Sequence, residues 1–274
     1  MNDTQTISAD ALRSALEWWE ESGVDIAPIP ASKPAKKPRK ALNIPAEKAA
    51  VMAVKPAPEM APKTTPKITS DEATQKLLAE SAAIAGAAPT LEALKAAIES
   101  FDAGDLSANA SRAVFARGNP KADLMIIGEA PGANEDKAGQ PFMGQTGAML
   151  TAMLAAIGIG EDDVYITNVC NYRPLNGRAP SPPEIALCTP FIARHIALKA
   201  PKIIVMTGGV SLETLTGQKG ITKLRGQWQS YAIEGGEPIP ALPLYHPAFL
   251  LRRPELKGDA WRDLLALKAR IASL

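Results

Sequence analysis

Hydrophobic and polar positions follow two different patterns along this chain, and the change falls near residue 70. Beyond it, short apolar runs of the length of buried strands are separated by segments with apolar residues at helical spacing. The pattern predicts strands at 122–127, 164–169, 202–207 and 241–245. It predicts helices at 90–101, with Thr90 as the N-cap, and at 147–157, 182–198 and 258–273, together with a short helix after Gly209. Alternating strands and helices are typical of α/β proteins, so we predict a three-layer α/β/α sandwich with a central, mostly parallel four-stranded sheet.

The first 30 residues carry a short helical pattern of their own. Leu12, Leu16 and Trp19 recur at helical spacing, which predicts a short N-terminal helix at 1–30. Two interpretations remain open. The segment is either a marginal helix that frays in isolation, or a docking helix whose Trp18 and Trp19 contact an unknown partner or the main domain.

Residues 31–67 contain seven prolines, and nine Lys or Arg against two acidic residues. Such a composition cannot bury a core and favours extended conformations, so we predict a disordered basic linker that joins the N-terminal extension to a domain at 68–274. The linker either holds the protein loosely on a polyanion such as DNA or serves only as a solvated tether. The formal net charge of +1 is therefore a sum over unlike parts and does not exclude a DNA partner.

Composition excludes several other classes of protein. No apolar run reaches the roughly 18 residues of a membrane span, and no basic-then-apolar signal segment begins the chain. Two cysteines are too few for a disulfide scaffold or a multi-cysteine metal site. We expect a cytoplasmic monomer with free thiols and no membrane partner.

Distinctive residues lie at the ends of the four predicted strands. They are Gly128-Glu-Ala-Pro-Gly132, Thr167-Asn168, Thr207-Gly208-Gly209 and His246-Pro247. Ligands of parallel sheets bind at the carboxyl ends of the strands, so a carboxylate, an amide and an imidazole should meet at one edge. The first loop is neither GxGxxG nor a P-loop with its lysine. Its Glu129 would repel phosphate, but it would stabilise a developing cation or orient a water molecule.

Each of these residues also has a purely structural interpretation. Phe142 is either a core residue or a stacking platform, and composition alone favours the core. His246 could be a structural cap and Asn168 a turn residue after a strand. The second histidine, His195, falls inside a predicted helix, where a packing or surface role is favoured. Their joint position at strand ends is what favours a functional site.

Taken in order, these motifs resemble the family 4 uracil-DNA glycosylases. The matching segments, which together cover roughly residues 113–265, are Gly128-Glu-Ala-Pro-Gly132 with Glu135-Asp136, Gly139, Pro141-Phe142 and Gly144, then Val164–Val169, Arg173-Pro174 with Arg178, Glu184-Ile185 with Cys188, Leu224-Arg225-Gly226, and His246-Pro247-Ala248 with Leu250-Leu251-Arg252. The resemblance implies a uracil-DNA glycosylase-like fold. It implies a DNA N-glycosylase of base excision repair that flips deoxyuridine out of DNA and hydrolyses its N-glycosidic bond.

The resemblance also implies catalytic roles. Glu129 would position or activate the attacking water, or stabilise the sugar cation. Asn168 would hydrogen bond to the Watson–Crick edge of uracil. His246 would donate to O2 of the departing anionic base.

Substrate and DNA contacts are implied in the same way. Phe142 would stack on the flipped base, and Glu135 would crowd its C5 position and reject thymine. Backbone groups of Gly128 and Ala130 would line the pocket. The residues expected to contact DNA are Thr207, Arg252 and Arg253.

The chain departs from the family at its iron–sulfur ligands. The family usually binds a four-iron cluster through four cysteines, two of which would fall within 101–106, where this chain has none. Tyr172 occupies the third position, and only Cys188 matches. One cysteine cannot hold the cluster, so we predict no cofactor and no metal, with packing around Tyr172 in its place. Cys170 is expected to be a small buried residue.

Two alternative functions are weighed against the glycosylase. The first is a catalytically weakened DNA-binding protein on the same fold, which the presence of Glu129, Phe142, Asn168 and His246 disfavours. The second is a nucleotide-binding Rossmann-like module, which the missing glycine fingerprint disfavours.

Overall fold

The computed structural model describes residues 71–233 and 236–274. The N-terminal helix predicted at 1–30 and the disordered linker predicted at 31–67 lie outside the described residues, as does the predicted domain start at residue 68. Of the helices in the described part, none is both long enough and apolar enough to cross a lipid bilayer.

Helices and strands alternate through most of the described chain. In order they are α1 (Asp71–Ala87), α2 (Leu91–Ser100), α3 (Asp105–Ala108), β1 (Arg117–Gly118), β2 (Leu124–Gly128), α4 (Ala133–Ala138), α5 (Gly144–Ala155), β3 (Val164–Asn168), α6 (Pro182–Lys199), β4 (Ile203–Thr207), α7 (Gly209–Thr216), α8 (Ile221–Leu224), β5 (Gln229–Tyr231), β6 (Ile239–Leu244), α9 (Pro247–Arg252) and α10 (Lys257–Ile271). Every strand and helix predicted from the pattern beyond residue 70 is present, with ends that differ by a few residues.

The sheet of the described residues has six strands in the order β1-β3-β2-β4-β6-β5. The predicted four parallel strands are confirmed as its centre. The prediction of only four strands is wrong in one respect, because β1 and β5 add antiparallel edges. These edge strands are two and three residues long, too short to show a periodic pattern in the sequence.

The central strands are buried along their whole length. Every residue of β2, β3 and β4 is buried, as expected for parallel strands covered on both faces. Gly128 lies opposite Asn168, and Thr207 lies opposite Leu244. The residues that follow these strands therefore emerge at the same edge of the sheet.

Each face of the sheet has its own hydrophobic core. Ile126, Ile166 and Val205 pack on one face with residues of α5 and α10. Met125 and Ile204 pack on the other face with residues of α1, α2 and α6. The predicted three-layer arrangement is therefore confirmed.

Helix α2 and helix α1 illustrate what the sequence pattern can and cannot indicate. The predicted N-cap of α2 is present, since Thr90 Oγ1 accepts a hydrogen bond from Ala93 N at 3.2 Å. Helix α1 was not predicted. It packs against α6 through small residues such as Ser81 and Ala85, which do not stand out as an apolar stripe.

His195 has the packing role rather than a catalytic one. Its ring is 1% exposed and stacks on Phe115 with centroids 4.3 Å apart. Its Nε2 forms a hydrogen bond of 2.9 Å with the Tyr165 hydroxyl. Burial, with a smaller effect of Lys199, lowers the pKa of His195 to about 3. The imidazole is therefore neutral in the folded protein.

The neutral His195 makes stability depend on pH. The unfolded chain protonates this imidazole near its usual pKa and the folded chain only near pH 3, so stability falls as pH falls through that window. We expect His195→Phe to cost about 1–3 kcal/mol at pH 7, because the Tyr165 hydroxyl loses its partner. The cost should shrink by about 2–3 kcal/mol at pH 4. Urea unfolding at both pH values measures this.

Tyr165→Phe is the matched control for His195→Phe. It removes the same hydrogen bond but keeps the imidazole, so its cost should be similar at pH 7 and pH 4. Equal pH dependence of the two variants would contradict the assignment.

Candidate active site

A pocket of about 190 Å³ opens at the carboxyl ends of the central strands. Its lining residues are Ala130, Gly132, Glu135, Phe142, Thr146, Asn168, His246 and Ala248. The structure thus brings five predicted site residues together in one cavity, and it adds Gly132, Thr146 and Ala248, to which the sequence assigned no role.

Gly128 allows the closest contacts of the site. A Cβ at this position would lie 2.3 Å from Asn168 Oδ1 and 2.7 Å from ring carbons of Phe142. Only glycine lets the amide and the ring approach the backbone of β2 this closely. Gly128 is not itself a lining residue, but it determines where Asn168 and Phe142 lie.

Phe142 combines both roles that the sequence left open. It is 5% exposed and belongs to the core on the α5 face of the sheet, yet it also lines the pocket. Its ring stacks with the imidazole of His246, with centroids 5.6 Å apart and planes 26° from parallel. Its φ of 54° is left-handed, which is strained for a residue with a side chain. Core packing therefore holds the ring rigidly at the pocket wall.

The carboxylate of Glu135 connects the two ends of the segment 132–143, which contains α4 and is called the pocket loop below. Its Oε2 accepts a hydrogen bond from Gly132 N at 2.9 Å, and its Oε1 accepts one from Met143 N at 2.7 Å. The side chain is buried and lines the cavity. Each oxygen binds a backbone N–H, so Glu135 is held in one position.

His246 is held as a neutral donor. It caps α9, and its Nδ1 accepts a hydrogen bond from Ala248 N at 3.2 Å. Burial, and then the nearby Arg252, lower the pKa of His246 to about 4. With Nδ1 as acceptor, the proton of the neutral ring lies on Nε2. That Nε2–H is available to a ligand in the pocket.

The Asn168 amide has unused hydrogen-bonding groups. The residue ends β3 and is 3% exposed. None of the described residues, 71–233 and 236–274, hydrogen bonds to its side chain. Because buried polar groups normally find partners, a free donor and a free acceptor at a pocket wall indicate a ligand that has both.

Glu129 lies beside the pocket without lining it. It directly precedes Ala130, which does line the pocket, and its side chain is half-buried. Burial raises the pKa of its carboxyl. Its backbone carbonyl accepts a hydrogen bond from Cys170 N at 3.0 Å, which fixes the loop on β3.

The three predicted DNA contacts occupy unlike places. Thr207 is fully buried, and its hydroxyl donates to Ile127 O at 3.1 Å, so its side chain joins β4 to β2 and does not face solvent. Its position does not support the predicted DNA contact. Arg252 and Arg253 are exposed at the end of α9, beside Leu251, whose side chain is 42% exposed.

Sequence reasoning missed Thr146 and Leu251 for identifiable reasons. Thr146 lies in the first turn of α5, one residue before the predicted start of that helix at 147, so the sequence pattern assigns it to a loop. Leu251 belongs to a motif that was noted, and its exposure next to two arginines is the signal that only the structure supplies.

Comparison with known proteins identifies the family. The profile of the Uracil DNA glycosylase superfamily matches residues 115–265, more than half of the chain. This chain belongs to the uracil DNA glycosylase superfamily. The matched range contains every predicted site residue. The expectation of a DNA N-glycosylase is therefore confirmed at the level of the family.

Comparison with individual relatives places this chain in the type-4 group of the superfamily. The Type-4 uracil-DNA glycosylase of Sulfurisphaera tokodaii is 41% identical over 164 residues, which cover 58% of this chain and 74% of the relative. The Type-4 uracil-DNA glycosylase of Pyrobaculum aerophilum is 36% identical over 179 residues, 64% of this chain and 91% of the relative. That of Thermotoga maritima is 37% identical over 185 residues, 66% of this chain and 94% of the relative.

A four-iron cluster, which the type-4 resemblance implies, does not fit the residues of this glycosylase-family chain. A cluster of this kind needs four thiolates, and the sequence has two cysteines. Both are buried, and across 71–233 and 236–274 no three His, Cys, Asp or Glu side chains are grouped as metal ligands. A hydrogen bond with the neighbouring Cys188, and then burial, raise the pKa of the Cys170 thiol, which disfavours a thiolate.

Tyr172, which stands where the resemblance implies the third cysteine, is held by hydrogen bonds in the core. It is 5% exposed, and its hydroxyl donates to the backbone carbonyls of Ile98 and Phe101, at the C-terminal end of α2. Phe101 in turn packs on Phe191 of α6, with ring centroids 5.2 Å apart. Hydrogen bonds and aromatic packing thus join Tyr172 to the end of α2, and the end of α2 to α6.

We expect purified protein to contain no stoichiometric iron and no broad absorbance in the visible. Iron analysis of protein prepared without oxygen measures this directly. One equivalent of cluster per chain would contradict the assignment of Tyr172 as its structural replacement.

Proposed function

We propose that this protein is a uracil-DNA glycosylase that hydrolyses the N-glycosidic bond of deoxyuridine in DNA and so begins base excision repair. The observation that carries the proposal is the joint presence of a free Asn168 amide, a neutral His246 donor and the Phe142 ring in one pocket. Uracil offers a donor at N3, acceptors at O2 and O4, and a flat ring. The pocket offers a partner for each.

Recognition of the base follows from these partners. The bond to be broken is inaccessible in stacked DNA, so the nucleotide must be flipped into the pocket. The uracil ring would stack on Phe142, which is already fixed. The Asn168 amide would donate to O4 and accept from N3–H, a pairing that cytosine, with its amino group at C4, cannot make.

Discrimination against thymine is assigned to Glu135. Its carboxylate is fixed by Gly132 N and Met143 N and lies in the pocket wall. A methyl group at C5 would meet a side chain that cannot move without breaking two charge-assisted hydrogen bonds.

The chemistry requires stabilisation of two opposite charges. As the bond between C1′ and N1 breaks, the sugar becomes oxocarbenium-like and the bonding electrons leave with uracil. The Nε2–H of His246 would stabilise the negative charge at O2 through a hydrogen bond whose donor is already positioned. Glu129 would stabilise the cation or orient the attacking water. Water then supplies hydroxide to C1′ and a proton to the departing base.

Contacts with DNA outside the pocket are assigned to the turn after His246. Arg252 and Arg253 would contact phosphates. The exposed Leu251 would enter the space that the flipped nucleotide leaves, since apolar side chains at such turns insert between base steps. A catalytically weakened DNA-binding protein would retain these contacts but not base release, so activity separates the two functions.

Substitution of Glu129, beside the pocket, and of Asn168, in its wall, tests the proposal. On a uracil-containing single-stranded oligonucleotide, Glu129→Gln and Asn168→Ala should each lower single-turnover base release by about 100-fold to 1,000-fold. Release is measured by cleaving abasic sites with alkali. Glu213→Gln, which changes an exposed carboxylate paired with Lys219, is the matched control and should retain the wild-type rate.

Two results would overturn these assignments. No base release by the wild-type protein at high concentration would exclude the glycosylase. Wild-type rates in both Glu129→Gln and Asn168→Ala would exclude the assigned site.

The pH dependence of kcat/KM tests the protonation states. Glu129 must be ionised to act, and burial raises its pKa, so activity should fall as pH falls through that raised value. Glu129→Gln should remove this acid limb. His246, with a pKa of about 4, should add no break between pH 6 and 8. A break in that range that persists in Glu129→Gln would contradict the neutral imidazole.

A further inference from the structure

A second cavity, larger than the pocket, lies next to the same loop. This groove has a volume of about 600 Å³ and is open to solvent. Its polar lining residues are Lys95, Glu99, Ser111, Arg112 and Gln140. The remaining lining is small or apolar and comes from the segment 113–116 and from 138–139.

The groove and the pocket share one stretch of chain. Residues 138–140 line the groove, and Phe142, two residues further on, lines the pocket. The opposite wall of the groove is the segment before β1, where Val114 N donates to Asn171 O, three residues beyond Asn168. The groove therefore lies at the carboxyl edge of the sheet, where the pocket opens.

Arg112 is held at this position by the pocket loop itself. The buried carboxylate of Asp136 accepts hydrogen bonds from Ser111 N and Ser111 Oγ, both at 2.8 Å. The stem of Arg112 packs on Gly139, whose φ is 74° and where a Cβ would lie 3.1 Å from Arg112 Cδ. The segment that carries Arg112 is thus attached to the C-terminal half of α4, through Asp136 within the helix and Gly139 just after it.

The charge of Arg112 is unused within the described chain. Its side chain is exposed, and no acidic side chain in 71–233 or 236–274 forms an ion pair with it. Lys95, across the groove, is already paired with Glu99 at 3.8 Å. Among the described residues, Arg112 is therefore the unpaired cation of the groove. The negative charge of Glu99 reduces the positive potential there.

We propose that this groove binds the DNA backbone next to the flipped nucleotide, with Arg112 pairing with a phosphate. The inference rests on the proposed function, because it takes DNA as the substrate. A DNA strand whose deoxyuridine occupies the pocket would reach the groove by passing the loop 138–142. The groove is the concave surface on the other side of that loop. Arginine suits the contact, since its planar guanidinium binds phosphate oxygens through two hydrogen bonds.

Three variants test the groove by binding alone. The probe is a fluorescent single-stranded oligonucleotide without uracil, and anisotropy gives Kd over a series of salt concentrations. Arg112→Ala should weaken binding by about fivefold to tenfold near 0.1 M salt and lower the slope of log K against log salt by about 1. Glu99→Gln should have the opposite effect and tighten binding, because it removes a negative charge and frees Lys95. Arg112→Lys should retain most of the salt slope.

Lys121→Ala is the matched control. Lys121 is an exposed cation just before β2, at the amino end of the parallel strands and so at the opposite edge of the sheet. Its removal should leave Kd unchanged. Thermal melting of each variant checks that the fold is retained.

The outcomes separate this proposal from the glycosylase itself. If Arg112→Ala and Glu99→Gln both bind like Lys121→Ala while the wild type releases uracil, the groove does not bind DNA and the proposed function stands. If the wild type releases no uracil but the two variants shift Kd in opposite directions, the groove binds DNA and the proposed function fails.

Discussion

Two adjacent buried carboxylates on the short helix α4 fix the backbone around the pocket at the carboxyl edge of the sheet. Glu135 accepts hydrogen bonds from both sides of the pocket loop, and Asp136 accepts two from Ser111. Loops at such an edge have few apolar contacts and would otherwise move independently. Charge-assisted hydrogen bonds in a buried setting are stronger than neutral ones, and leaving their donors unpaired is costly. The helix therefore fixes Phe142, the pocket wall and the neighbouring groove as one unit.

The parallel register of the central strands determines where the remaining site residues lie. Because β2, β3 and β4 are aligned, Gly128 and Asn168 meet as neighbours, and the loop after β6 brings His246 to the same edge. The two histidines of the chain differ in whether a ring nitrogen remains available to a ligand. Both are buried enough to be neutral, but the second nitrogen of His195 is used by Tyr165, whereas the Nε2–H of His246 remains available.

The central fold was predictable because its strands are short, mostly apolar runs of the length expected for buried strands. The strands at 122–127 and 202–207 were visible for that reason, and so was the edge at which polar residues gather. The two edge strands and α1 were not, because two or three residues show no period and an alanine-rich face shows no contrast. At the site, Asn168 and His246 were predictable from their place after strands. The burial of Thr207, the exposure of Leu251 and the hydrogen bonds of Glu135 depend on tertiary packing, which a linear pattern does not contain.

The left-handed backbone of Phe142 has a consequence for the energetics of ligand capture. A free aromatic side chain loses conformational entropy when a base stacks on it, and this loss subtracts from affinity. Here the backbone strain and the packing of the ring are both settled when the chain folds. The cost of ordering the Phe142 ring is therefore met by the stability of the domain, and under the proposed function an incoming base would encounter a surface that is already preorganised. Folding free energy is in this way converted into binding affinity at one residue.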